Sequence, residues 1–262
     1  MKKLLLFALV LSLPSSLFAG DVNRDGLNSL LVPIAFSSTQ TPRGAYGTLW
    51  ASELWFSNSS TTGVQSLQPT GICAPICPIG YPASTIGRIT GVESNLYNGA
   101  ILHVPADLGS QFQVSARLLE LSRKSQPTGV DIPVVDESEY FRGERWLLGV
   151  PSSPDLRSAL RVYDPRALNG TSVAVDFIAT DGSVISSKVL RPGDDPRAGR
   201  AGLASAATVA SVLSITDDVP ELRQHERFHV RLRPVQSDRE YWAMVSVTHN
   251  DTQHVLLITS QP

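Results

Sequence analysis

The chain has 262 residues, of which 42% are hydrophobic and 18% charged, and its formal net charge is −2. This length leaves room for one large or two ordinary domains that each bury a core. A near-neutral chain lacks the dense positive charge with which proteins bind nucleic acid or anionic membranes, so neither partner is expected.

The N-terminus has the layout of a secretory signal peptide. Lys2 and Lys3 precede an uncharged apolar run from Leu4 to Leu13, and a small residue follows at Ala19. That run is well short of the roughly 20 residues that a membrane helix needs. The sequence therefore predicts a cleaved signal peptide over residues 1–19 and a flexible N-terminus over residues 20–29. The mature chain would be exported to the periplasm, cell surface or medium, with no membrane span.

The first half of the mature chain alternates between apolar and polar residues, which predicts β-strands. In Thr48–Ser57, Trp50, Leu54 and Phe56 share one face, while Glu53 and Trp55 lie on the other. Predicted strands are Leu30–Phe36, Thr48–Ser57, Val64–Leu67, Ser84–Ile89, Ala100–Val104 and Gln111–Leu121. The leucines of Ala116–Lys124 also fit a helix.

A polar break at Ser122–Gly129 predicts a domain boundary. Alternation resumes beyond it, and Asn169-Gly170 and Asp181-Gly182 are hairpin signals. Predicted strands are Ile132–Val135, Trp146–Val150, Leu156–Tyr163, Ser172–Ala179, Ser183–Leu190, Ala207–Ile215, Phe228–Arg233, Tyr241–Thr248 and His254–Thr259. One helical turn is expected near Asp217–Gln224. The fold class is all-β, with two β-sandwich-like (Ig-like) domains of antiparallel strands over residues 30–122 and 131–262, joined by a linker over residues 123–130.

The chain has two cysteines, Cys73 and Cys77, in a Pro-rich segment. An isolated pair in an exported protein favours a disulfide, here one that closes a small loop. Redox motifs use a two-residue gap, and no His lies nearby in sequence, so metal or redox use is the weaker alternative.

His225-Glu226-Arg227-Phe228-His229 matches the zinc-protease pattern of two His flanking a Glu. That chemistry needs a helix, because residues four apart must share one face. The residues that follow alternate, which predicts a strand that would separate His225 from His229 by roughly 13 Å. The sequence therefore favours a solvated polar face over a zinc site.

Asp21, Asn23 and Asp25 precede Gly26, and together they resemble the start of a calcium loop. The twelfth position should be a bidentate acid, but it is Val32. These residues are a weak calcium candidate, and a polar, flexible terminus is the favoured interpretation.

Two tryptophans raise the question of sugar binding. Trp55 lies beside Glu53, opposite the Trp50 face, and Trp242 is next to Tyr241. Trp55 is the candidate for stacking on a ligand, although packing in the core is the commoner role of Trp in a sandwich.

The sequence contains neither a Gly-x-Ser-x-Gly nucleophile motif nor a phosphate-binding Gly loop, so no catalytic residue or cofactor is predicted. The segments Leu31–Asn58 and Tyr241–Asn250 resemble uncharacterised secreted bacterial β-sandwich proteins, a likeness that implies export and β-architecture. The favoured function is a non-catalytic secreted or cell-surface protein that binds a protein or carbohydrate through loops or a sheet edge. The alternatives are an exported hydrolase acting on polysaccharide or peptide, and an assembly module that contributes a strand, for which His254–Thr259 is the natural candidate.

Overall fold

The computed structural model describes residues 26–34, 45–68, 77–88, 99–122, 129–164, 171–192 and 210–260. Within these ranges the protein is all-β, as predicted, and its antiparallel strands form four sheets. The strands are β1 (Leu27–Val32), β2 (Trp50–Asn58), β3 (Val64–Gln68), β4 (Cys77–Tyr81), β5 (Thr85–Arg88), β6 (Ala100–Pro105), β7 (Phe112–Glu120), β8 (Val130–Ile132), β9 (Val135–Asp136), β10 (Arg145–Pro151), β11 (Leu156–Tyr163), β12 (Val173–Ala179), β13 (Val184–Leu190), β14 (Ala210–Ser214), β15 (Arg227–Pro234), β16 (Trp242–His249) and β17 (Val255–Thr259).

Among the described residues, helical structure is confined to short turns. They are α1 (Ile215–Asp218) and 3-10 turns at Ala45–Gly47, Ala106–Gln111, Glu137–Glu139 and Pro220–Gln224. The turn predicted near Asp217–Gln224 is therefore present, with Pro220 at its first position. The helical alternative for Ala116–Lys124 is wrong as far as Glu120, which ends β7, because Ala116 and Leu118 are buried while Arg117 is exposed.

The first nine strands form two sheets. Sheet I has the order β4-β3-β6-β1-β9, and sheet II has the order β5-β2-β7-β8. β8 and β9 follow the predicted linker, yet they pair with β7 and β1. The strands up to Asp136 therefore belong to sheets I and II, and those from Arg145 onward belong to two other sheets. This change lies later in the chain than the predicted linker at 123–130.

β1 begins at Leu27, three residues before the predicted strand at Leu30 and inside the predicted flexible terminus. Its polar residues can enter the sheet because they find partners. Asn28 Nδ2 donates to Asp136 Oδ2 at 2.6 Å, and Ser29 Oγ lies 2.9 Å from His103 Nδ1. Hydrogen bonds of this kind offset the cost of removing polar side chains from water.

The last eight strands form sheet III, with the order β10-β15-β12-β13, and sheet IV, with the order β14-β11-β16-β17. The apolar residues of β15, which are Phe228, Val230 and Leu232, are buried, while Arg227 and Arg233 are exposed. The strict alternation that the sequence predicts for this strand is therefore confirmed.

Sheet IV is covered on both faces. Along β16, Ala243, Val245 and Val247 alternate with Trp242, Met244 and Ser246, and all six side chains are buried. On the second face the Tyr163 hydroxyl donates to the carbonyl of Pro33, and Trp242 stacks on Phe141 with 6.5 Å between ring centroids. The packing role predicted for Trp242 is confirmed. Sheet IV thus contacts the first half of the chain directly.

Candidate functional site

The strands at the edges of the four sheets differ in how well they are protected against pairing with another chain. An edge strand exposes backbone N–H and C=O groups, and proteins discourage pairing there with charges, proline, bulges or very short strands. β4 contains Pro78, β5 contains Arg88, and β8 and β9 have only three and two residues. The β10–β15 pairing is interrupted by a register shift between Leu147 and Val150. These edges carry protection of the usual kinds.

The edge strand β14 is closed at its end by the turn that follows it. The backbone N–H of Ser214 donates to Asp218 Oδ2 at 3.0 Å, and the Ser214 hydroxyl donates to Asp217 Oδ2 at 2.7 Å. The carboxylates of α1 therefore occupy the hydrogen-bonding position that an added strand would use.

β17 carries none of these features. Its sequence is Val-Leu-Leu-Ile-Thr, without charge, proline or glycine, and among the described residues it pairs only with β16. Leu256 is 51% exposed. The sequence-based suggestion of His254–Thr259 as an edge strand therefore agrees with its place in sheet IV.

The register of β17 against β16 determines which backbone groups face outward. His249 N donates to His254 O at 2.9 Å, so the pairs that exchange hydrogen bonds continue at Val247 with Leu256 and at Val245 with Ile258. The N–H and C=O groups of the intervening residues, Val255, Leu257 and Thr259, point away from β16. No described residue bonds to these outward groups.

A groove runs between the edges of β17 and β10. Its volume is about 470 Å³, and Leu148, 61% exposed, lies on its β10 side. Its lining residues are Glu144, Arg145, Trp146, Leu148, Leu257, Ile258, Thr259 and Ser260. Apolar side chains thus flank the outward backbone groups, which is the combination that recognises an extended peptide in strand addition.

The residues of the zinc-protease pattern lie at the start of β15. His225 and Glu226 follow the 3-10 turn Pro220–Gln224, whereas His229 is inside the strand. Gly149 N donates to His229 Nδ1 at 3.1 Å. Gly149 has φ +68 and lies where β10 slips register, so the imidazole satisfies a backbone group that the bulge leaves without a ladder partner. His229 therefore stabilises the edge of sheet III.

Trp55 lies beside a second groove, of about 500 Å³, on the outer face of sheet II. Its side chain is 44% exposed, while Leu54 and Phe56 on the other face of β2 are buried, as their alternation predicts. Two ion pairs border the groove: Arg117 Nε lies 2.9 Å from Asp131 Oδ1, and Arg88 Nη2 lies 3.5 Å from Glu53 Oε1. Of the described lining residues, Trp55 alone is aromatic.

Sequence reasoning missed the contact between Ser29 and His103, which pairs a hydroxyl with an imidazole across β1 and β6. Both residues are almost completely buried, and the Tyr140 hydroxyl donates to Ser29 O at 3.2 Å beside them. A substrate cannot reach a pair enclosed in this way, so the arrangement is a hydrogen-bonded part of the core. Neither residue belongs to a recognisable motif, and their separation of 74 positions gives no local signal.

Several predicted sites lie outside the described residues. These are Asp21, Asn23 and Asp25 of the calcium candidate, and Cys73 of the predicted disulfide, whose partner Cys77 is described only as the first backbone position of β4. The disulfide and the calcium site stay predictions. The ninth and twelfth positions of the calcium pattern, Ser29 and Val32, are buried in β1.

Within the described ranges, no group of three or more His, Cys, Asp or Glu side chains could hold a metal ion. The same part of the chain contains no helix long and apolar enough to cross a membrane. Comparison with known proteins finds no match to this chain among protein families, curated proteins or solved structures. The resemblance to secreted bacterial β-sandwich proteins therefore stays a prediction.

Proposed function

We propose that this protein is an exported, non-catalytic β-protein that binds a partner polypeptide by strand addition at β17. The observation that carries the proposal is the uncharged, unprotected edge of β17, whose outward backbone groups at Val255, Leu257 and Thr259 have no partner among the described residues. Such groups match the N–H and C=O groups of an extended peptide.

A polypeptide partner fits these observations better than a carbohydrate. Sugar binding by stacking gains most from several aromatic platforms, and Trp55 is the only aromatic residue among those described along its groove. The outward N–H and C=O groups of β17 recur at every second residue. An extended polypeptide presents N–H and C=O groups with the same repeat, so the two can pair.

A binding role also agrees with the chemistry of the described ionisable groups. The pKa values of the Asp136 and Asp176 carboxyls are lowered: burial alone would raise them, but hydrogen bonds from Asn28 and Ser138, and from Ser187 and Arg231 respectively, outweigh it. A general acid needs a raised carboxyl pKa in an accessible cleft. These two carboxylates are instead partners in structural hydrogen bonds.

The proposal includes two sandwich-like domains, built on sheets I and II and on sheets III and IV. The pairing of β1–β9 among themselves and of β10–β17 among themselves supports this division. Export rests on the leader-like N-terminus, with Lys2 and Lys3 before an apolar run.

Amide hydrogen exchange tests the proposal directly. In dilute wild-type protein the amides of Leu256 and Ile258 should be protected and those of Val255, Leu257 and Thr259 should exchange quickly. An excess of a peptide of alternating valine and threonine, capped with lysines for solubility, should protect the three outward amides. Protection elsewhere, or none at saturating peptide, would refute strand addition at β17.

The variant Thr259→Pro supplies the matched control. It removes one outward N–H while leaving the bonds of Leu256 and Ile258 to β16 in place, as proline is tolerated at an edge whose N–H faces solvent. Peptide binding should weaken about fivefold, since one net hydrogen bond contributes about 1 kcal/mol. Unchanged affinity in a folded variant would show that the peptide binds elsewhere.

A further inference from the structure

The outward groups of β17 are arranged so that the strand is complementary to itself. Val255, Leu257 and Thr259 are spaced two residues apart, and the middle one lies at the centre of the five-residue strand. A second copy running antiparallel would place Leu257 opposite Leu257, and Val255 opposite Thr259. All three outward N–H and all three outward C=O groups of each copy would then be paired, giving six hydrogen bonds in all.

Other registers satisfy fewer groups. A shift of two residues leaves one outward position of each strand beyond the end of its partner, so only four of the six bonds form. A shift of one residue would set outward groups against positions whose own groups already bond to β16. The centred register is therefore the one that the backbone favours.

The side chains favour the same register. It brings Leu256 opposite Ile258 of the second copy at a pair without hydrogen bonds, where side chains approach most closely. Leu256 is 51% exposed, so this contact would remove apolar surface from water. β17 carries no charge, so like charges do not face each other across the two-fold axis.

We propose that the polypeptide recognised at β17 is a second copy of this chain, and that the two copies pair β17 to β17 around a two-fold axis at Leu257. This inference rests on the proposed function and names its partner. The product is an isologous dimer in which the two copies of sheet IV form one continuous eight-stranded sheet, and closed two-fold symmetry is the commonest arrangement of protein dimers.

Sedimentation velocity and disulfide trapping test the dimer and its register. Wild-type protein should shift from monomer to dimer as its concentration rises, and Thr259→Pro should weaken dimerisation at least about tenfold, because each dimer loses two hydrogen bonds. Leu257→Cys should cross-link under mild oxidation, since residues of a hydrogen-bonded pair have Cα atoms about 5.5 Å apart, within disulfide range. Wild-type protein, which keeps Cys73 and Cys77, is the blank for oxidation.

Thr259→Cys is the matched control for register. It lies on the same edge, but the centred register puts it about 14 Å from its own copy, so it should remain uncross-linked. Cross-linking of Thr259→Cys as efficient as that of Leu257→Cys would overturn the register. Wild-type protein that stays monomeric at all concentrations would overturn the dimer. In that case protection of the outward amides by the valine–threonine peptide would leave the proposed function intact, and no protection would refute both.

Discussion

The strands β13 and β17 are both edge strands in the second half of the chain, but they differ in how well they are protected against pairing with another strand. β13 is the longer and exposes Val184 and Val189, at 54% and 56%. It also carries Lys188 opposite Val175, whose side chain is fully buried, so the lysine starts on the interior side of the sheet. An added strand would have to cover that ammonium group, which is a recognised defence of edge strands.

β13 has two further features that β17 lacks. Its register against β12 shifts between Phe177 and Ile178, which kinks the edge. Its neighbour Asp176 also accepts a hydrogen bond from the Ser187 hydroxyl at 2.7 Å, which ties β13 to the sheet. Exposed apolar side chains alone are therefore not enough for an edge strand to pair with another chain. The comparison suggests that charge and local distortion decide which edge accepts a partner.

The largest expected effect is the difference in stability between two proline substitutions at neighbouring positions of β17. Ile258→Pro removes an N–H that bonds to Val245, and it should lower the free energy of unfolding by about 3 kcal/mol. Thr259→Pro removes an outward N–H and should cost less than about 1 kcal/mol. Urea denaturation of both variants measures the difference. Equal losses would mean that the assignment of inward and outward groups is wrong.

The next effect concerns the carboxylate beside the protected edge. Asp176 has a side chain only 8% exposed, and it lies 2.7 Å from Arg231 Nη2 and 2.6 Å from Arg233 Nη2. Asp176→Asn leaves both guanidinium groups without their counter-charge and should lower the free energy of unfolding by about 2 kcal/mol. Asp181→Asn, in the exposed hairpin turn, is the control and should have a much smaller effect.

The same carboxylate predicts how stability changes with pH. Burial alone would raise the pKa of Asp176. The hydrogen bonds and charges of Ser187, Arg231 and Arg233 outweigh burial, so the folded pKa lies below the unfolded value of about 3.9. Its contribution is complete above that value and is lost as pH falls through the folded pKa. Between pH 5 and 2, Asp176→Asn should therefore lose less stability than the wild type, as measured by thermal melts. Parallel curves would contradict this assignment.

Local patterns were enough to predict most of the strands but not their neighbours. No strand was predicted at β4, whose Pro78 and Gly80 favoured a loop, and the predicted strand Ile132–Val135 is instead the two short strands β8 and β9 of different sheets. Side chains change face at every residue of a strand, so alternation predicted the buried Phe228 and Val230 of β15. It also predicted that Trp55 lies on the other face of β2 from Leu54. Pairing depends on residues far apart, so the sequence could not show that β8 and β9 join the first half or that β17 is an edge. The candidate site was predictable only as the uncharged final strand.

The buried polar contacts were hidden for a related reason. His103 looks like any histidine in an alternating strand, and only the β1–β6 pairing brings Ser29 to it. His229 likewise takes its role from a bulge 80 positions away at Gly149. Along the chain, His229 belongs to a zinc-protease pattern for which the sequence favoured a solvated polar face. The contacts across the sheet show a specific role, because His229 accepts a hydrogen bond from the Gly149 backbone.

The smallest effect on stability, and the sharpest test of the comparison, comes from exchanging the protection between the two edges. Lys188→Val removes the charge from β13, and Leu256→Lys puts one at the corresponding place on β17, opposite the buried Val247. Both positions are largely exposed, so each change should alter the free energy of unfolding by less than about 1 kcal/mol. Association should respond in opposite directions in sedimentation: Leu256→Lys should weaken it, and Lys188→Val should create a second adhesive edge that yields species larger than dimers. If Lys188→Val behaves like the wild type, the bulge between Phe177 and Ile178 protects β13 without the lysine, and edge geometry outweighs charge.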